Sequence, residues 1–334
     1  MRETTKAMSV RENALRIIRF DHPERVHGGS LPTHDLCYRG CNHEGYQGGG
    51  HHLPVGSTWT DIWGTLWQRE HEGVMGFPRG HPLAEVAALR DYSWPNPDDE
   101  RICRAIYEGR EKFPGGDLLL MGKHRDTLWE KAYMLVGMEA MMVYFHTEPN
   151  FVRHVLHRIM DFQLGLSRHY LACGVEMVLG SDDLGTQRGL LLGPRIMHEF
   201  LMPEYRRLFE LYRSRGVLIA FHSCGCIEQV VGDLMDLGIN VLNPVQATAN
   251  DQQKVRRLTQ GRMALYGGVS TAVIMDGPVE RIELETRRAM WRLGREGGYI
   301  CSSDQYLPFP EAHFEALLRT VETYGRYPLT DPDH

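Results

Sequence analysis

No apolar run in this chain approaches the eighteen or so residues that a helix needs to cross a bilayer, so a membrane-spanning role is not expected. The opening residues, Met1-Arg2-Glu3-Thr4-Thr5-Lys6, lack the apolar stretch of a secretory signal, which leads to the expectation of a cytoplasmic protein. Blocks of single-sign charge are missing as well. The formal net charge of −6 is spread over 334 residues. Nucleic acid is therefore not an expected partner, because phosphate backbones need a concentrated basic face. There is no internal repeat, low-complexity tract or linker. A Gly-x-Gly-x-x-Gly turn after an early strand is also absent, so a dinucleotide-binding sheet has no direct support. Cysteine is scarce and odd in number, seven in all, scattered at 37, 41, 103, 173, 224, 226 and 301. In a reducing compartment such thiols stay free, and a cysteine beside a histidine reads as a metal ligand before it reads as half of a disulfide.

What is present is alternation. Short apolar runs lie at Asp117 to Gly122, Val175 to Gly180, Val217 to Phe221, Ile239 to Leu242, Met263 to Tyr266 and Gly298 to Cys301. Helical patterns surround them at 98 to 113, 127 to 145, 149 to 172, 195 to 215, 226 to 237, 251 to 259 and 278 to 295, after a short amphipathic helix at 8 to 20. Strands alternating with helices imply right-handed βαβ units and a parallel sheet. The expected fold is one (β/α)8 TIM barrel spanning 1–334, with an irregular stretch at about 28 to 60 that covers the site.

The proposed strands end in polar residues: His124 and Arg125, Asp182 and Asp183, His222 and Cys224, Asn243 and Gln246, Ser270, then Cys301 and Asp304. In a (β/α)8 barrel these ends converge on one face, where active sites are built. His222 and Cys224 stand two apart after an apolar strand, so both can point to one ion. Cys301 ends what reads as the last strand. A mixed nitrogen and sulfur set with three protein ligands suits zinc with one open position, as in a catalytic site. Cys226 is an alternative to Cys224, although it follows Gly225 and enters the next helix.

A family resemblance rests on these residues. His222-Ser223-Cys224-Gly225-Cys226-Ile227, the run Leu237 to Gln246, Gly267-Gly268-Val269-Ser270-Thr271, Gly297 to Ile300 and Ser181 to Gln187 together resemble the uroporphyrinogen decarboxylase superfamily. The likeness runs from about residue 60 onward and is strongest after 175. Within it, His-x-Cys paired with a distant Cys is similar to the zinc-dependent corrinoid methyltransferases. The resemblance implies a (β/α)8 barrel with zinc on His222, Cys224 and Cys301. It also implies transfer of a methyl group between a small donor, such as a methyl ether, and a corrinoid (cobalamin). The corrinoid would sit on a separate carrier protein, since the Asp-x-His-x-x-Gly signature is absent. Methyl transfer from the corrinoid to a thiol, or zinc hydrolysis on the same barrel, are the alternatives, and the oligomeric state, a homo-oligomer included, is not set. True decarboxylases carry an arginine-rich N-terminal motif, where this chain reads Gly28-Gly29-Ser30-Leu31-Pro32-Thr33-His34-Asp35-Leu36.

Around the metal, Asp182 and Asp183 are expected to handle a proton or orient a ligand, or else to cap a helix. Asn243, Gln246 and His124 are expected to bind substrate, with Asp304 a weaker candidate. Trp59, Trp63 and Trp67 either shape an apolar pocket or pack as core. Cys37, Cys41, His43, His51 and His52 form a second cluster whose spacing matches no standard metal site.

Overall fold

Aliphatic runs without alternation belong to strands covered on both faces, and that is how the segments after position 117 fold. This computed structural model describes residues 8–40, 53–72 and 75–334. In chain order its strands are β1 (His27–Gly28), β2 (Thr33–Leu36), β3 (Thr58–Thr60), β4 (Leu66–Gln68) and β5 (Phe77–Gly80). They continue as β6 (Leu119–His124), β7 (Met177–Ser181), β8 (Leu218–His222), β9 (Val241–Asn243), β10 (Ala264–Val269) and β11 (Tyr299–Ser303). Eight form one sheet in the order β1-β11-β10-β9-β8-β7-β6-β2, with every pairing parallel. The sheet curls into a (β/α)8 TIM barrel. Residues 29–32 join β1 to β2 without a helix, so this split segment bonds β11 with one half and β6 with the other. The stretch from 28 to 60, expected as irregular, thus supplies part of the barrel wall. Its strands are too short to stand out as apolar runs.

Side chains alternate across the wall as the pleat requires. Met121, Met177, Ala220, Val241, Ala264 and Ile300 point inward and fill the barrel floor. Leu120, Val178, Ile219, Leu242, Leu265 and Cys301 point outward, into the layer shared with the helices. The floor is closed by helix α1 (Val10–Arg19), whose Ala14, Ile17 and Ile18 recur at helical spacing and join the inner cluster. Ser9 caps α1 by accepting a hydrogen bond from the Glu12 amide, and Phe20 ends it in a left-handed conformation. Burying each isoleucine there contributes about 1.5–3 kcal/mol.

Of the outer helices, α2 (Glu100–Glu111) and α5 (Pro149–Ala172) fall where the periodicity places them. The pattern from 127 to 145 divides into α3 (Trp129–Val136) and α4 (Met138–Thr147), because Gly137 adopts a φ of 92° between them. Strands β3, β4 and β5 make a small antiparallel sheet of their own, with Trp59 stacked on Trp67 above Met134. No described helix is long and apolar enough to cross a membrane.

Candidate metal centre

Strands β7 and β8 run side by side with Ser181 opposite His222. Asp183 follows the end of β7 by two residues, and Cys224 follows the end of β8 by two. The loops that carry them touch backbone to backbone. A Cβ on Gly225 (φ 86°) would lie 2.3 Å from the Gly185 carbonyl carbon, and one on Gly185 would lie 2.7 Å from the Cys226 nitrogen. Only glycine at both positions permits this approach, and the Gly185 amide completes it by donating to the Cys224 carbonyl at 3.2 Å.

Three metal-ligating side chains meet as a result. Among the described residues, Asp183, His222 and Cys224 form a group whose ligand atoms all lie within 4.8 Å of one another. His222 Nε2 stands 3.3 Å from Cys224 Sγ and 3.7 Å from Asp183 Oδ1. Donors on one tetrahedral zinc ion, at the usual bond lengths of about 2.0–2.3 Å, are roughly 3.4–3.6 Å apart, so the set fits. His222 is also oriented for the task. Its Nδ1 lies 2.8 Å from Asn243 Oδ1, an acceptor that fixes the proton on Nδ1 and leaves the Nε2 lone pair facing Cys224 and Asp183. Asp183 Oδ1 meanwhile accepts from the Cys224 amide at 2.9 Å. Burial, followed by the Asp183 carboxylate, pushes the Cys224 thiol up to about 12. One thiolate and one carboxylate together would balance the charge of a divalent cation.

Cys301 is not part of this group. It is fully buried, and its thiol pKa is raised to about 12 by that burial, with Tyr299 as its side-chain hydrogen-bonding neighbour. The physical reason is pleat parity and strand length. β11 continues to Ser303, and because Ile300 faces the barrel interior, Cys301 faces the helices. The residue that β11 does deliver to the centre is Gln305, whose Nε2 lies 2.7 Å from Cys224 Sγ. Cys226 is half-buried, and its amide is bonded to the Thr186 carbonyl.

The other expected residues separate into those near the centre and those far from it. Asp182 is fully buried, and its two oxygens accept from the amides of Leu128 and Glu130 at 2.8 Å each, and from Tyr205 Oη at 2.7 Å. It therefore caps α3 from the neighbouring loop, and burial raises its pKa to about 7. Glu130, in the first turn of α3, was not anticipated. Burial first, then Asp126, Asp182 and Asp183, hold its carboxyl well above the usual range, and Tyr133 donates to it at 3.2 Å. Asn243 acts behind His222, and Gln246 accepts from the Gly225 amide at 3.0 Å, bracing the Cys224 loop.

Asp304 accepts from the amides of Ala247 and Gly268 at 2.9 Å, and burial raises it to about 7. His124 does not reach the mouth. It points outward from β6, fully buried, with Nδ1 2.8 Å from Gln163 Oε1 and Nε2 2.6 Å from the Tyr212 hydroxyl, and burial lowers it to about 4. Trp59, Trp63 and Trp67 are all buried as packing. Of the second cysteine and histidine cluster, Cys41, His43, His51 and His52 lie outside the described residues.

A family model for uroporphyrinogen decarboxylase (URO-D) matches residues 80–324. Among solved structures, a methyltransferase from Methanosarcina mazei is 16% identical, with a TM-score of 0.72 over 95% of this chain and 99% of that one. At that identity the likeness establishes the fold alone. A B12-independent methionine synthase from Shewanella sp. W3-18-1 is 11% identical, over 66% of this chain and 64% of that one, with a TM-score of 0.36. A D-psicose 3-epimerase from Clostridium cellulolyticum H10 is 12% identical, over 74% and 88%, with a TM-score of 0.42. Both of these are too loose to bear on function. No curated protein sequence matches the chain.

Proposed function

From the premise that this chain belongs to the uroporphyrinogen decarboxylase family, we propose that it is a zinc-dependent methyltransferase, moving a methyl group from a small methyl ether to a corrinoid carried by a separate protein. The observation that carries this reading is the Asp183–His222–Cys224 group at the C-terminal mouth of the barrel, with His222 oriented by Asn243.

Zinc held by His222, Cys224 and Asp183 would supply Lewis acidity toward the ether oxygen. The remaining work falls to the chain itself. Asn243 keeps the His222 proton on Nδ1, so the ligand nitrogen stays unprotonated. The Cys224 amide holds Asp183 against the same loop. Burial and the neighbouring Asp126, Asp182 and Asp183 hold the Glu130 carboxyl well above its usual range, which makes it the candidate proton donor to the oxygen. Gln305 donates to Cys224 Sγ and so sits beside the metal group.

The test is to mix zinc-loaded protein and reduced cobalamin with aromatic and aliphatic methyl ethers, following cobalamin absorbance and the demethylated product. Product formation that disappears in His222→Ala and Asp183→Ala supports the proposal. Zinc-loaded protein that leaves every ether and the cobalamin spectrum unchanged would overturn it.

A further inference from the structure

Beside the N-terminal ends of β10 and β11, at the face of the barrel opposite the metal centre, lies a half-open cavity of about 270 Å³. Arg256, Arg257, Arg292 and Arg295 line it, together with Gln260 and Glu296. Arg256 is only 7% exposed. Its Nη atoms donate to the carbonyls of Leu293 (3.3 Å), Gly298 (3.0 Å) and Met263 (3.1 Å), while its Nε is buried without an acceptor. The Nε of Arg292 is buried and unsatisfied as well. Among the described residues four arginine Nε donors are buried without a partner, and two of them belong to arginines that line this cavity.

The charge is unbalanced too. Among the described residues, no carboxylate lies within ion-pair distance of Arg256, Arg257 or Arg292, and the sole acidic lining group, Glu296, sits 3.7 Å from Arg295. Two helices, Gln252–Thr259 and Val279–Gly294, end beside the cavity. Each helix C-terminus contributes about half a negative charge. Against four guanidinium groups, one carboxylate and two helix ends leave an excess of about two positive charges. Burial lowers Arg256 to about 10, which still leaves it charged at neutral pH. Arg256 is a buried cation whose partners are carbonyl dipoles and the face of the Phe20 ring, with no carboxylate in ion-pair contact, and a counter-ion in the cavity offsets the remaining cost.

We propose that this cavity binds a small phosphate dianion, either inorganic phosphate or a phosphomonoester. The excess charge matches a dianion, guanidinium forks match phosphate oxygens, and the cavity is large enough to admit the ion. This site is separate from the metal centre and independent of the proposed methyl transfer.

Thermal unfolding and calorimetric titration of the full chain, in sodium phosphate against sodium chloride at matched ionic strength, test the proposal. Phosphate is expected to raise Tm saturably where chloride does not. The Arg257→Ser/Arg295→Ser pair, both exposed, is expected to weaken phosphate binding at least about tenfold, whereas Arg257→Lys/Arg295→Lys keeps most of it. His222→Ala is expected to retain the full effect. Titration with methyl phosphate beside inorganic phosphate distinguishes the two sources, with the tighter ligand identifying the occupant. Equal effects of phosphate and chloride, a response unchanged in the serine pair, or a response lost in His222→Ala would each overturn the assignment.

Discussion

Replacing Asp182 with alanine removes one carboxylate that three donors share, and the cost can be worked from their geometry. The amides of Leu128 and Glu130 and the Tyr205 hydroxyl all lie within 2.8 Å of its oxygens, in a fully buried setting. Leaving a buried donor unsatisfied costs about 1–3 kcal/mol, so with three donors the variant should lose roughly 3–9 kcal/mol at pH 5. The penalty should also depend on pH. The folded carboxyl is raised from 3.8 to about 7, so the native state holds this proton where the unfolded chain has released it. Wild-type stability from this group therefore falls as pH rises from about 4 to about 7, and the variant lacks that slope. Between pH 5 and pH 8 the penalty should shrink by about 2–3 kcal/mol. Asp304 titrates in both proteins and cancels in the difference, whereas Glu130, which Asp182 helps to raise, titrates lower in the variant and shifts the penalty in the same direction. Urea unfolding of metal-free protein at the two pH values measures this directly. A penalty below about 1 kcal/mol, or one that grows toward pH 8, would refute the reasoning.

Three further outcomes follow from the same contacts. Asn243→Ala frees the His222 ring and should weaken zinc binding about 10–100-fold in a chelator competition, with the fold intact. An unchanged affinity would show that Asn243 does not orient the ligand. His124→Ala opens a cavity and strands Gln163 and Tyr212, costing about 2–4 kcal/mol in denaturant unfolding while metal content stays constant. Loss of zinc with stability unchanged would place His124 in the centre instead. Gly225→Ala meets the Gly185 backbone at a left-handed φ, so zinc retention measured after gel filtration should fall sharply.

The barrel was legible in the sequence because its later strands are apolar runs between long helical patterns, and both signals survive burial. β1 and β2 were not, since two and four residues carry no readable period. At the centre, His222 and Cys224 were legible from their spacing after a strand. Cys301 stands apart from that group because the apolar run ends there while β11 does not: Ser302 and Ser303 continue it as polar strand residues. One residue of parity then turns the thiol toward the helices and leaves Gln305 to reach Cys224. Asp182 and Asp183 were read as a pair, and strand geometry sends the first to cap α3 and the second to the candidate metal group. Glu130 gave no signal, because only the packing of α3 against the β7 loop brings it near Asp183. The meeting of Gly185 and Gly225, forty residues apart, is likewise a tertiary fact that no local motif records.

Zinc content measured by elemental analysis after dialysis, on wild type beside Asp183→Ala, Cys224→Ser and Cys301→Ser, tests the account most directly. It predicts about one zinc per chain in wild type and in Cys301→Ser, and a sharp loss in Asp183→Ala and Cys224→Ser. Zinc that follows Cys301 and ignores Asp183 would contradict it.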